Sequence, residues 1–327
     1  MKNVIGIDVS KTKLDCLWLR DVQAGKVKAK VFPNTSAGHT QLLAWAEKQT
    51  GLPVQEVWFV MEATGIYHER LAYCLHDSGA QVAIVNPAQV RDYARGIAVR
   101  TKNDRKDSMV LALYGAKESL RPWQPEPVEI RQLKSLLARL AALEEDILRE
   151  RNRLEKTQLS ETVRAVEESI HTVLAGLEKE KQRLEKMIDD HIDNHPHLKR
   201  DKQLLESIPG VGNVLSRYML SVFHSRRFER ATQMAAYLGV VPVEYQSGSS
   251  VHKRPRLSKA GNATIRAKLY FPAVVASRYN PTAKALYERL LARGKCKMAA
   301  IGAVMRKLVH LCFGVLKHQQ VYSPQAV

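Results

Sequence analysis

The sequence has little that would fix a fold covalently or hold it in a membrane. Of its 327 residues only four are cysteine (Cys16, Cys74, Cys296 and Cys312), and none stands in a CxxC pair. The 11 histidines keep no zinc-ligand spacing. A disulfide scaffold and a zinc finger are therefore excluded, and scattered buried thiols are expected. No uninterrupted apolar run reaches the roughly 18–20 residues that a membrane span needs. An acid at Asp8 comes too early for a signal peptide, so a cytoplasmic location is expected. Wholesale disorder is excluded too, because hydrophobic residues make up 45% and charged residues 26%. The length suits two or three domains.

Acids are scarce in one place only. Residues 201–327 hold 20 basic and 5 acidic side chains, whereas residues 1–200 hold 31 and 28. Of the overall charge of +18, the last third thus carries +15. A localised positive field of that size points to phosphate backbones as the partner, through counterion release. A merely basic soluble protein would spread it.

Residues 1–125 alternate strand and helix signals. Val4-Ile5-Gly6-Ile7-Asp8-Val9 reads as a buried strand ending at an acid. Leu14 to Leu19 and Val27 to Phe32 read as the next two strands of a meander, and Gln41 to Lys48 as a helix. Val57-Trp58-Phe59-Val60-Met61 is a further apolar strand, followed directly by Glu62. A helix from about Tyr67 to Asp77, a strand from Gln81 to Val85 stopped at Asn86-Pro87, and a helix from Asp104 to Lys117 complete the region. Three strands and then interleaved helices predict an α/β domain with a mixed sheet of the ribonuclease H type.

Pro122, Pro125 and Pro127 mark a linker. From Glu129 to His191 there is no proline, and leucines and isoleucines recur at three- and four-residue steps. This predicts a long helical hairpin or coiled coil over 126–198 with a spacing or oligomerising role. Residues 199–327 read as mainly helical. There Ile208-Pro209-Gly210-Val211-Gly212 between two helical stretches resembles a helix-hairpin-helix, whose Gly210 and Gly212 would let backbone N–H groups approach a phosphate. A plain glycine turn gives the same pattern. Tyr245 to Ser250 reads as a small-residue loop, followed by His252, Lys253, Arg254, Arg256 and Lys259. Residues 262–276 and 297–317 read as helices.

Four acids stand out by position. Asp8 and Glu62 end apolar strands, and Asp104 and Asp107 share one face at a helix start. Such carboxylates can converge in one cleft as hard ligands for Mg²⁺ or Mn²⁺. Two ions about 3.5–4 Å apart activate an oxygen nucleophile and stabilise the leaving oxygen at a phosphodiester. Singly, each acid has a structural role: Asp8 at a turn, Glu62 at a solvated strand end, Asp104 as an N-cap, Asp107 as a first-turn acid. Asp15, Glu69, Asp77 and Asp92 read as structural. Ser247 is a candidate nucleophile, with the basic run behind it offsetting charge on a phosphate. Ser249, Ser250 and Tyr245 are rivals in the same loop, and a flexible polar loop needs no chemistry at all.

Taken in order, six stretches resemble one family. They are Ile5-Gly6-Ile7-Asp8-Val9-Ser10-Lys11, Glu62-Ala63-Thr64-Gly65, Val85-Asn86-Pro87, Lys102-Asn103-Asp104-Arg105-Lys106-Asp107, Leu205 to Gly212, and Ser247-Gly248-Ser249-Ser250 followed by Arg256 to Asn262. The chain resembles the one-ten family of bacterial insertion-sequence transposases, relatives of the pilin-gene invertases. The resemblance implies a domain like the Holliday-junction resolvase RuvC with an Asp-Glu-Asp-Asp metal site on Asp8, Glu62, Asp104 and Asp107. It implies a coiled coil and a C-terminal transposase domain whose nucleophilic serine is Ser247. It further implies a phosphoserine link to DNA, assembly as a dimer of dimers, and action on donor and target double-stranded DNA in the nucleoid under guidance of a bridge RNA.

Other readings differ in what they need. A hydrolytic, metal-dependent structure-specific nuclease would use the four acids and leave Ser247 structural. An actin-like sugar kinase would need two similar lobes and a second glycine-rich loop. A non-catalytic nucleic-acid-binding protein would ignore metal, and a tyrosine recombinase would need an Arg/His cluster around Tyr245.

Overall fold

In a computed structural model the chain is described at residues 2–21, 24–63, 65–99, 103–159, 163–247 and 251–324, with backbone alone at residues 247 and 251–254. It forms two compact units, Met1–Pro125 and Glu126–Val327.

The first unit is a mixed α/β layer structure. Its strands are β1 (Asn3–Val9), β2 (Lys13–Asp21), β3 (Lys26–Pro33), β4 (Val57–Glu62) and β5 (Gln81–Val85), in the spatial order β3-β2-β1-β4-β5. β2 pairs antiparallel with both β1 and β3, while β4 runs parallel to β1 and β5 parallel to β4. The meander and the parallel extension therefore meet at β1. Because β1 is central, both its faces are covered, and Val4, Ile5 and Ile7 form one continuous apolar run rather than an alternating one. Ile5 and Ile7 pack with Phe59, Met61, Leu42 and Leu71 on one side of the sheet, under α1 (Ser36–Thr50) and α2 (Glu69–Asp77). Val4 packs with Val60, Val90, Val110 and Leu111 on the other, under α3 (Pro87–Gly96) and α4 (Asp104–Lys117).

Capping places the helix starts. Thr35 caps α1 by accepting from Gly38 N–H, and α1 ends at Gly51 in the left-handed region, φ 68°. Helix α3 was not among the expected elements, although Asn86-Pro87 carries its signal: the Asn86 side chain accepts from Ala88 N–H, and Pro87 holds the first helical position. Helix α4 is capped by Asn103, which accepts from Lys106 N–H. Asp104 is thus inside the helix and not its N-cap.

The second unit is largely helical. Helices α5 (Val128–Gln158) and α6 (Arg164–Asp193) run antiparallel: His191 donates to the Glu129 carbonyl at one end (2.8 Å), and Arg151 meets Glu178 toward the other (2.8 Å). Their inner ends join a large core with α7 (Pro196–Glu206), α8 (Asn213–Phe223), α9 (Ala231–Tyr237), α10 (Ala263–Lys268), α11 (Tyr270–Tyr279), α12 (Pro281–Ala292) and α13 (Lys297–His318). Farther out Ile147, Ile170 and Leu174 form a small separate cluster. Helix α13 has 22 residues and the hydropathy of a membrane span, but 67% of that window is buried inside the unit. The single helix expected over 262–276 is two, α10 and α11, meeting at Leu269, and α12 is additional. In a two-stranded antiparallel ribbon, β6 (Pro242–Ser247) and β7 (Val251–Leu257), the first strand takes in Tyr245, Gln246 and Ser247 of the loop expected from Tyr245 to Ser250.

Candidate metal centre

The four carboxylates predicted from strand ends and a helix start line one cleft of about 850 Å³. Asp8 is near the end of β1 and Glu62 ends β4; the parallel register Ile7↔Met61 makes them neighbours across the sheet. Asp104 and Asp107 come from the first turn of α4. Gly6 brings that helix close. A Cβ on Gly6 would stand 2.1 Å from the Ser108 carbonyl oxygen and 2.5 Å from the Ala112 nitrogen, so only glycine lets the α4 backbone lie on β1.

A fifth carboxylate belongs to the group. β1 and β2 pair Asp8 with Asp15, and carboxylate oxygens of Asp8, Asp15 and Asp104 all lie within 4.8 Å of one another. Sequence reasoning treated Asp15 as structural. The signal that would have found it is the hairpin: a tight turn centred on Lys11-Thr12 pairs residues at equal distances on either side. Lys13 was missed as well. Its Nζ lies 2.5 Å from Asp104 Oδ2 and 3.1 Å from Asp15 Oδ2. That hydrogen bond lowers the Asp104 pKa and raises that of Lys13.

Asp8 is the most perturbed member. Burial, and then the negative charge of Asp107, Asp104, Asp15 and Glu62, push its pKa up to about 6. Like charges crowded in a half-buried cleft call for a cation. The donors are all hard oxygens, and the set fits Mg²⁺ or Mn²⁺ better than a soft transition metal. The same cleft is lined by one face of α3, with Asn86, Pro87, Ala88, Arg91, Ala94 and Arg95.

The other candidates lie in the second unit. Ser247 ends β6 and pairs in register with Val251 of β7, which puts it at the tip of the ribbon. Its side chain, those of Lys253 and Arg254, and the residues Gly248, Ser249 and Ser250 lie outside what the structure describes, as do Thr64 and Lys102. Arg256 on β7 is exposed, and so is Lys259, at φ 55°. Gly210 and Gly212 stand between α7 and α8. Gly210 has φ 101°, and a Cβ there would lie 2.8 Å from the Ala276 Cβ on α11, so packing already requires a glycine here. Gly212 is the N-cap of α8, with open space where a side chain would stand.

Comparison with known proteins bears on both units. A transposase family model matches residues 5–164, and the model of the transposase IS116/IS110/IS902 family matches residues 202–288. The pilin gene-inverting protein of Moraxella bovis is 30% identical over 331 residues, covering 98% of each chain. The chain belongs to the IS116/IS110/IS902 family of transposases. As a member of that family it is a DNA-processing enzyme. The transposase for insertion sequence element IS1111A of Coxiella burnetii is 28% identical over 273 residues, 75% of this chain and 73% of that one. The solved structure of T. thermophilus RuvC in complex with a Holliday junction substrate aligns with 38% of this chain and 100% of its own, at 18% identity and a TM-score of 0.26, a likeness too slight to carry weight. The matched ranges take in Asp8, Glu62, Asp104 and Asp107 in the first unit and Ser247, Lys253, Arg254, Arg256 and Lys259 in the second.

Proposed function

We propose that the protein is the transposase of an insertion sequence and recombines DNA by cutting and rejoining it through a phosphoserine intermediate. The observation that carries this is the convergence of Asp8, Glu62, Asp104 and Asp107 on one cleft in a chain of this family. In this reading residues 1–125 are a RuvC-like catalytic domain, and the strand order β3-β2-β1-β4-β5 with acids at the ends of β1 and β4 supports it. Residues 126–198 act as a coiled-coil spacer. Residues 199–327 are a basic transposase domain carrying Ser247, with Lys253, Arg254, Arg256, Lys259 and the N–H groups at Gly210 and Gly212 on phosphate. The partners are donor and target DNA and a bridge RNA, met in the cytoplasm by a dimer of dimers.

The four carboxylates would hold Mg²⁺ or Mn²⁺, which supplies Lewis-acid polarisation of the phosphate and lowers the pKa of an attacking hydroxyl. The Ser247 hydroxyl loses its proton and forms an O–P bond. The bond to the departing deoxyribose oxygen breaks, and that oxygen takes up a proton. The strand is then held as a protein–DNA ester. Attack by a hydroxyl of another strand reverses the step and frees the serine, so rejoining needs no nucleotide triphosphate. Arg256 and its neighbours offset negative charge on the phosphate.

The test is a trapped intermediate. Wild-type protein stopped on nicked substrate carries DNA on the tryptic peptide containing Ser247, seen by mass spectrometry, while Ser247→Ala binds DNA normally and neither cleaves nor joins. Attachment at Ser249, Ser250 or Tyr245 would move the role to that residue. Nicked DNA released without any adduct would make the protein a hydrolytic nuclease working through the carboxylates alone.

A further inference from the structure

Arg91 and Arg95 stand four residues apart on α3, hence on one face, and both line the cleft that holds the four carboxylates. The face is built for contact. Pro87, Ala88, Arg91, Ala94 and Arg95 recur at three- and four-residue steps, so small side chains flank the two guanidiniums. Helix α3 is fastened by buried Val90 in the core and by an edge-on contact of Tyr93 with Tyr114 of α4 (5.4 Å). Arg91 and Arg95 themselves are exposed.

Asp104 is held by Lys13. Among the described residues Arg95 pairs with Asp92 alone, at 3.7 Å on the surface, and Arg91 pairs with no carboxylate. A surface pair of that length contributes little and is easily exchanged. A cleft lined by several carboxylates repels a DNA strand, and cations lining the same cleft offset that repulsion. Guanidinium suits the task, since its fork binds phosphate oxygens two at a time. Four helical residues rise about 6 Å, and phosphates recur about every 3.4 Å of axis along one strand of B-DNA. The two arginines therefore match phosphates one or two nucleotides apart on a single strand.

We propose that Arg91 and Arg95 form a phosphate-binding wall that grips the DNA strand entering the cleft and aligns its phosphodiester with the carboxylates. This rests on the reading of the cleft as the strand-cutting site.

The test compares full-length wild type with Arg91→Gln/Arg95→Gln. Binding to a fluorescein-labelled DNA duplex of mixed sequence is followed by anisotropy across a sodium chloride series, and Mn²⁺ binding is followed by electron paramagnetic resonance. The slope of log affinity against log salt should become shallower by about 2, close to 0.9 for each phosphate that is no longer neutralised. Affinity at fixed low salt should fall about tenfold or more, with Mn²⁺ affinity unchanged. In wild type, DNA should protect Arg91 and Arg95 from phenylglyoxal, with exposed Arg20 on β2 as the unprotected control. An unchanged slope, or equal modification with and without DNA, overturns the proposal. Loss of Mn²⁺ binding in the double variant also overturns it, because the arginines would then serve the carboxylates. Failure of wild type to bind Mn²⁺ would count against the metal centre, leaving the arginines to be judged on DNA binding.

Discussion

Asp8, Glu62, Asp104 and Asp107 occupy ordinary strand-end and helix-start positions, and it is lining one cleft together that makes them candidates for metal chemistry. Replacing any one with alanine should lower strand cleavage by about 10²-fold or more, since a hard-ligand site loses geometry with each donor. The thermal midpoint should hold for Glu62→Ala, Asp104→Ala and Asp107→Ala, because none of these is a core side chain. Full recombination by Asp104→Ala and Asp107→Ala would remove the metal centre. Asp8 adds a pH signature. Its folded pKa of about 6 lies above the ordinary 3.8, so its share of stability is fully present below 3.8 and is lost as pH rises through about 6. Metal-free wild type should thus melt lower at pH 7.5 than at pH 5, with part of that difference absent from Asp8→Asn. Metal binding has the opposite dependence: protons compete at Asp8, so Mn²⁺ affinity should weaken as pH falls below about 6. A flat Mn²⁺ titration between pH 5 and 7.5 would show that Asp8 is not a ligand.

At the scale of elements, the cleft depends on how closely α4 approaches β1. Gly6 sets that approach and Asn103 sets where the helix begins. Gly6→Ala should force the α4 backbone away, at a cost of about 1–3 kcal/mol in urea unfolding, the usual range for overpacking. The same shift carries Asp104 and Asp107 away from Asp8, so Mn²⁺ affinity should fall along with stability. A stable Gly6→Ala protein with undiminished Mn²⁺ binding would mean that the helix reaches its place without glycine. In the second unit α8 is tied to α6 by Arg217, which is buried and meets Asp189 at 2.6 Å. This ion pair places α8, and with it Gly212, relative to the hairpin.

For the molecule as a whole, charge and chemistry are divided. The carboxylate cleft belongs to the first unit, while residues 201–327 carry the positive excess, 20 basic against 5 acidic side chains. Nucleic-acid affinity should therefore rest mainly on the second unit and depend steeply on salt. Charge reversal at Lys253, Arg254 and Arg256 together should weaken binding and flatten the salt slope by about 3, at close to 0.9 per neutralised phosphate. An unchanged slope would place these side chains away from phosphate.

Much of this was legible in the chain itself. Local periodicity and end signals were enough for the five strands of the first unit, for α4, and for the acids at β1, β4 and α4, because each is decided within a few neighbouring residues. Charge partition is a property of composition and needs no fold. Meetings of distant segments were decided only by tertiary structure. Asp15 enters the site through hairpin register, Lys13 through a side chain reaching 91 positions along the chain to Asp104, and Arg91 with Arg95 through a helix laid across the sheet. Gly210 also packs on Ala276, a neighbour 66 positions away that no local pattern announces. The sequence determines which residues are suited to the chemistry; pairing, crossover and helix packing decide which of them meet, because those depend on backbone paths that close only when the whole unit is folded.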